Sequence, residues 1–363
     1  MIPRGRVAWK LSGFLFRESK FNFLRGAKML TGARLAVTVL AVLLALSPVW
    51  AEAPAEKKLS FEVSADFDYD TNATQQNALP ADIQTTGKHS SMVYTQNLKV
   101  QYDFNPGGPF NLQAKYDYLQ NFHTQASFVD TMMHTWTLTP SYLLGTYRNI
   151  KLWAPLAFQY IDVGSDKYIT SFTLNPKLFH RFSQTMGYAL EVRVGRRYGW
   201  LPQMFPDLYD YTSRGMGGSL GYYFFVGKGG YLQARLNYDY VGARGSNNDA
   251  SRYSLLLSGE YPVTSRLSFL LFLDLALQQG DHNFRQGRIV FVNVPPGVGV
   301  IVPPEPTFPS RQDRNLLFGT VATYKIYKGL ESSLHYYYTR HDSNIAPYDY
   351  TSHIFGGQLA YKY

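Results

Sequence analysis

The sequence predicts an all-β protein, a transmembrane antiparallel up-and-down β-barrel of fourteen strands. Three observations predict it. Apolar and polar residues alternate with period two over segments of ten to fifteen residues, the connections between these segments alternate short and long, and the chain ends on an aromatic residue. Ordinary globular strands are about half as long, whereas strands of this length cross a bilayer when tilted.

The chain has 363 residues, no cysteine, 29 Tyr, 24 Phe and 17% charged residues. Without cysteine there are no disulfides, thiolate metal sites or covalently attached haem. The formal charge of +9 suggests nucleic acid until its distribution is read. Residues 1–51 hold eight of the 35 Lys/Arg but one of the 26 acidic residues, which leaves 27 against 25 in the remainder. The basic excess belongs to that leader, and nothing points to nucleic acid.

In the leader, Arg34 precedes LAVTVLAVLLAL, followed by SPVWA with Val49 and Ala51 at the small-residue cleavage positions. Twelve apolar residues suit a signal-peptide core and are too few to span a bilayer. Residues 1–51 are therefore expected to be a signal peptide, with Met29 as an alternative start, followed by the short segment 52–57 and the barrel at 58–363.

Each strand is justified by its own alternation. LSFEVSADFDYD places Leu59, Phe61, Val63, Ala65, Phe67 and Tyr69 on one face, with Glu62, Asp66 and Asp68 on the other. FNLQAKYDY and YLQARLNYDY repeat the pattern, with Gln113, Lys115 and Asp117, then Gln233, Arg235 and Asp239, on the polar side. RLSFLLFLDLAL gives Leu267, Phe269, Leu271, Leu273, Leu275 and Leu277 on one face.

The predicted strands are 58–70, 91–104, 110–122, 129–143, 149–162, 167–181, 185–199, 211–226, 230–243, 250–262, 265–279, 312–326, 329–342 and 350–363. Short turns (105–109, 146–149, 183–185, 227–230, 264–265, 327–329) alternate with long loops (71–90, 123–128, 163–166, 200–210, 244–249, 280–311, 343–349). An even strand number puts both ends of the barrel on the short-turn side, as in outer-membrane barrels of Gram-negative bacteria. Phe355, Leu359, Tyr361 and Tyr363 then face lipid, and the last strand pairs with the first, so no sheet edge remains. The terminal Phe355, Tyr361 and Tyr363 are expected to serve as girdle and insertion signal.

The residues YDTN at 69–72, TLTP at 137–140, DSNI at 342–345 and the ending YDYTSHIFGGQLAYKY resemble the fourteen-stranded carboxy-terminal barrels of surface lipoprotein assembly modifiers and related tetratricopeptide-linked outer-membrane proteins. The resemblance covers most of 58–363 and implies lipoprotein export. That family carries a helical amino-terminal domain, whereas Glu52–Lys57 is too short for one helical repeat.

Other motifs have simpler readings. GGSLG at 217–221 matches the nucleophile elbow, but that elbow needs a strand, a sharp turn and a helix, and here a strand continues through Tyr222–Gly227. Gly215, Gly217, Ser219 and Gly221 are read instead as an inward strip without bulk that bends the wall or admits a neighbouring side chain. The eight histidines show no metal-ligand spacing, and no cofactor motif appears. DTNA and DSNI read as Asx turns at strand ends. Loop 280–311 holds six prolines between 295 and 309, with a hairpin expected at Ile289–Val294 and Val298–Val302, either inside the lumen, against a partner, or packed on itself and its neighbours.

Alternation also assigns the lumen charges. Glu62, Asp66, Asp68, Asp103 and Asp117 face inward from the first three strands, and Lys177, Arg181, Arg193, Arg197 and Arg235 from the sixth to the ninth. These groups stand on opposing walls and either set up a transverse field or cancel locally in salt-bridge ladders. The expected function is a pore or export channel for small polar solutes. The alternatives are a translocator for surface lipoproteins or other exported substrates, and a barrel-embedded hydrolase. The expected partners are outer-membrane lipid, the barrel assembly machinery during insertion, and an exported protein or a periplasmic helical-repeat protein.

Overall fold

The computed structural model describes residues 58–73, 90–125, 130–145, 149–164, 166–199, 211–245, 248–285, 288–290, 300–302, 306–345 and 349–363. The expected signal peptide and the segment 52–57 lie outside the described residues, as do most of loops 71–90 and 200–210.

Fourteen strands form one antiparallel sheet that closes on itself. They are β1 (Leu59–Asp70), β2 (Ser91–Asp103), β3 (Phe110–His123), β4 (Thr131–Leu144), β5 (Ile150–Trp153 and Leu156–Val163), β6 (Asp166–Leu174 and Lys177–His180) and β7 (Met186–Gly199), followed by β8 (Ser213–Val226), β9 (Gly230–Ala243), β10 (Ala250–Pro262), β11 (Leu267–Arg285), β12 (Pro306–Tyr327), β13 (Leu330–Ser343) and β14 (Tyr350–Lys362). Each pairs with its sequence neighbours, and β14 returns to β1 in a register running from Glu62↔Lys362 to Asp70↔Ile354. Closure is what lets such a sheet enter a membrane, because no unpaired edge is left.

The distribution of burial is inverted relative to a water-soluble fold. The side chains most fully buried are those of Asp313, Ser64, Ser91 and Ser352, while large apolar residues such as Trp136, Leu236, Leu277 and Leu334 stand exposed. Water would not leave so much apolar surface uncovered. A bilayer covers it at no cost, and the alternate, polar residues then turn toward the lumen. This is an outer-membrane barrel.

The prolines of β4–β6 interrupt two strands that the alternation predicts as continuous. β5 breaks at Ala154–Pro155 and β6 at Asn175–Pro176, because proline has no N–H to give to the ladder. The breaks line up: Ala154 N donates to the Pro140 carbonyl (3.1 Å), Asn175 N to that of Pro155 (3.0 Å) and Val192 N to that of Pro176 (3.0 Å). A second difference concerns the loop expected at 280–311. β11 continues to Arg285 and β12 starts at Pro306, with pairs Asn283↔Ser310 and Arg285↔Pro306 after register shifts. Beyond them Arg288–Val290 pairs with Val300–Val302, the hairpin expected there with shorter arms.

Candidate functional site: the polar face

The first three strands bring their charges into local pairs. Glu62 lies opposite Lys99 in the ladder and binds it at 2.8 Å, and Lys115 meets Asp117 at 2.9 Å. Asp103 accepts from Gln101 (2.9 Å), Asn111 (2.7 Å) and Gln113 (3.0 Å). Asp68 binds His335 Nε2 at 2.7 Å, and the His335 ring stacks on Tyr337 with centroids 5.0 Å apart. Asp66 lies next to this pair, with Gln358 as its ladder partner on β14.

Across the barrel, the basic residues pair just as locally. Glu191 meets Lys177 at 3.3 Å, Arg193 at 3.4 Å and Arg235 at 3.9 Å. Arg193 also forks onto both carboxylate oxygens of Asp239, at 2.9 and 3.1 Å, and donates to the Gly218 carbonyl at 3.2 Å. Arg181 belongs to a different setting. It sits at the short turn, where its guanidinium donates to the carbonyls of Ser183 and Gln184 and lies 4.6 Å from the Phe225 ring centroid. Arg197 is exposed and, among the described residues, pairs with no carboxylate. Of the two arrangements open from the sequence, local ladders account for most of the set.

Glycine makes both cross-strand bridges possible. Arg193 on β7 and Asp239 on β9 both register with Gly217 on β8. A Cβ there would collide with the Asp239 carboxylate and sit 2.6 Å from the Tyr238 carbonyl. Asp68 on β1 and His335 on β13 both register with Gly356 on β14, where a Cβ would meet the Asp68 carboxylate and His335 Nε2. In each case an ion pair spans an intervening strand because that strand carries no side chain at the crossing. Sequence reasoning located the first glycine strip and missed the second pair. Gly356, inside an otherwise alternating last strand, was the available signal.

The strand ends also hold polar knots. Asp70 accepts from Asn72 N (2.7 Å) and Ser352 Oγ (2.5 Å), the Asx turn expected at DTNA. At DSNI the turn is made by Ser343, whose Oγ accepts from Ile345 N (3.2 Å) and donates to the buried Asp313 (2.7 Å). Asp342 is drawn away to Arg340 at 2.8 Å. Two recesses open on the polar residues, one of about 530 Å³ lined by Gln159, Arg193, Arg197, Asp239 and Arg252, the other of about 480 Å³ near the short turns, lined by Glu260, Lys325, Glu331 and Lys362.

At the seam, the terminal residue is part of the ladder. Tyr363 N donates to the Phe61 carbonyl (2.9 Å), Phe61 N donates to that of Tyr363 (3.2 Å), and their rings stack with centroids 5.1 Å apart. Tyr361 is buried beside the same ring at 6.1 Å, and Phe355 stands exposed next to Tyr336 at 4.8 Å.

No family model matches the chain, and no curated protein does. Among solved structures it is similar to OmpT, an outer membrane protein of Vibrio cholerae in its trimer form, with 7% identity, a TM-score of 0.45, and 84% of this chain and 99% of that one covered. The outer membrane channel DcaP of Acinetobacter baumannii is 11% identical with a TM-score of 0.48, over 84% of this chain and 96% of that one. OccAB3 of Acinetobacter baumannii is 9% identical with a TM-score of 0.40, over 84% and 99%.

Proposed function

We propose that the barrel is a pore or export channel for small polar solutes. The observation that supports this reading is a closed cylinder whose inward face is polar along its length, with its charges held in local pairs. Eight strands fill their own interior and sixteen leave an aqueous channel, so fourteen leave room for a hydrated lumen. Paired charges do not trap a passing ion, yet they order water and disfavour apolar solutes. Of the assigned lumen charges, Asp66 and Asp103 on one wall and Arg181 and Arg197 on the other have no oppositely charged partner within 4 Å among the described residues. The transverse field is therefore weak, and so is the preference between small cations and anions.

Single-channel recording of the purified protein in a planar bilayer tests the proposal. Steady ohmic conductance is the expected result, and a barrel that stays sealed would overturn it. A second reading, a translocator for surface lipoproteins or other exported substrates, rests on the resemblance carried by YDTN, TLTP, DSNI and the last strand. It would engage an exported protein or a periplasmic helical-repeat partner, and a sealed barrel favours it. We read the chain as non-enzymatic. Ser219 lies mid-strand in β8, with no sharp turn, and among the described residues no hydroxyl is hydrogen-bonded to the Asp68–His335 pair.

A further inference from the structure

On β7, β8 and β9 the outward, apolar face ends in arginine. Arg196 continues the column Leu190, Val192 and Val194, and Arg214 continues Leu220 and Met216, all of them exposed. The register sets Arg196 directly opposite Arg214. Arg244, one residue past β9, joins them around a pocket of about 250 Å³. Gly242, the β9 partner of Arg214, leaves that space open, and Arg196 is held over the Tyr198 ring at 4.8 Å.

Like charges directly opposite each other in a sheet cost stability. The inward arginines Arg193 and Arg235 each have a carboxylate within 4 Å. By contrast, among the described residues no carboxylate pairs with Arg196, Arg214 or Arg244. An anion from outside the chain would supply their counter-charge. Position indicates its source: the apolar columns below lie at acyl-chain depth, and the arginines stand where the long connection 200–210 begins and ends, which is headgroup depth on the external side.

We propose that Arg196, Arg214 and Arg244 bind the phosphate of a phosphorylated lipid of the outer leaflet, whose acyl chains lie along Val194, Met216 and Leu220. Guanidinium forks match phosphate oxygens in pairs, and a partly desolvated phosphate turns the Arg196–Arg214 repulsion into attraction. This site acts from outside the barrel wall, so it stands whether or not the lumen conducts.

The test titrates the full barrel in detergent micelles with bis-phosphorylated lipid A, its dephosphorylated form and inorganic phosphate, read by native mass spectrometry. The wild type is expected to prefer the bis-phosphorylated lipid, and the triple variant Arg196→Gln, Arg214→Gln, Arg244→Gln to bind it at least about tenfold more weakly. The corresponding triple Lys variant should fall between the two, because an ammonium keeps the charge but not the fork. Equal binding by wild type and the Gln variant, or no preference for phosphorylated over dephosphorylated lipid, would overturn the proposal. Displacement by an equal concentration of inorganic phosphate would overturn it as well, because it would mark an anion pocket without a lipid. If the triple Gln variant does not give a heat-modifiable barrel, Arg214→Gln alone decides, with about threefold weakening expected and unchanged affinity counting against the site.

Discussion

At the scale of single residues, the inward face works by omission. Gly217 and Gly356 let Arg193 reach Asp239 and Asp68 reach His335 across a whole strand. Gly217→Val should push the Asp239 carboxylate aside and lower stability by about 1–2 kcal/mol, a modest figure because the pair is partly solvated. Urea titration in micelles checks it, with Asp239→Asn as the second arm of a cycle. If the carboxylate is the target, the double variant loses clearly less than the sum of the singles. Tyr363 makes the opposite case, where presence matters. Its two ladder bonds and its stack on Phe61 join β14 to β1. Deleting it should lower the amount of heat-modifiable barrel in the outer membrane, while Tyr363→Phe keeps the ring and should be tolerated. Wild-type yield from the deletion would refute the role of the terminus in insertion.

At the scale of elements, the sheet is uneven. The three carbonyls of Pro140, Pro155 and Pro176 accept in a row across β4–β7, and the two later prolines each remove a ladder donor from an interior strand. Proline is normally confined to sheet edges, and a barrel has none. One lost ladder bond costs about 1 kcal/mol, so amides flanking Pro155 and Pro176 should exchange about fivefold faster than those of the regular pair β9–β10. Pro176→Val should slow that exchange. Protection equal to β9–β10 in the wild type would show that the row does not soften the wall. β11 and β12 depart in the other direction, since 19 and 22 residues exceed what any other strand uses. Their extensions carry the hairpin Arg288–Val290 and Val300–Val302 beyond the main ladder.

At the scale of the whole molecule, what matters is how charge is shared around the cylinder. Glu191 alone gathers Lys177, Arg193 and Arg235, and Asp239 takes the second side of Arg193. Replacing Arg193, Arg197 and Arg235 together by Gln would remove three positive charges from the lumen and leave Glu191 with Lys177 alone and Asp239 with its ladder neighbour Arg252. Reversal potentials in a salt gradient should then move toward cation selectivity, most clearly at low ionic strength, where screening is weak. If conductance persists and selectivity does not move, these residues do not line the conducting path.

The sequence by itself determined the class of the fold, the number of strands and the alternation of faces within the regular strands. The reason is local. A strand has a period of two, so the alternation in Leu59–Asp70 or Gly230–Ala243 assigns sides without reference to any neighbour. Membrane thickness does the same for strand length. Tertiary structure alone decided which charges meet, because partnership depends on register between strands far apart in the chain. Asp68 and His335 are 267 residues apart and are joined only by closure at β14. It also decided how far β11 and β12 extend. Their ends, rich in polar residues and proline, carry no alternation of their own and become strands because each supplies the other's hydrogen bonds.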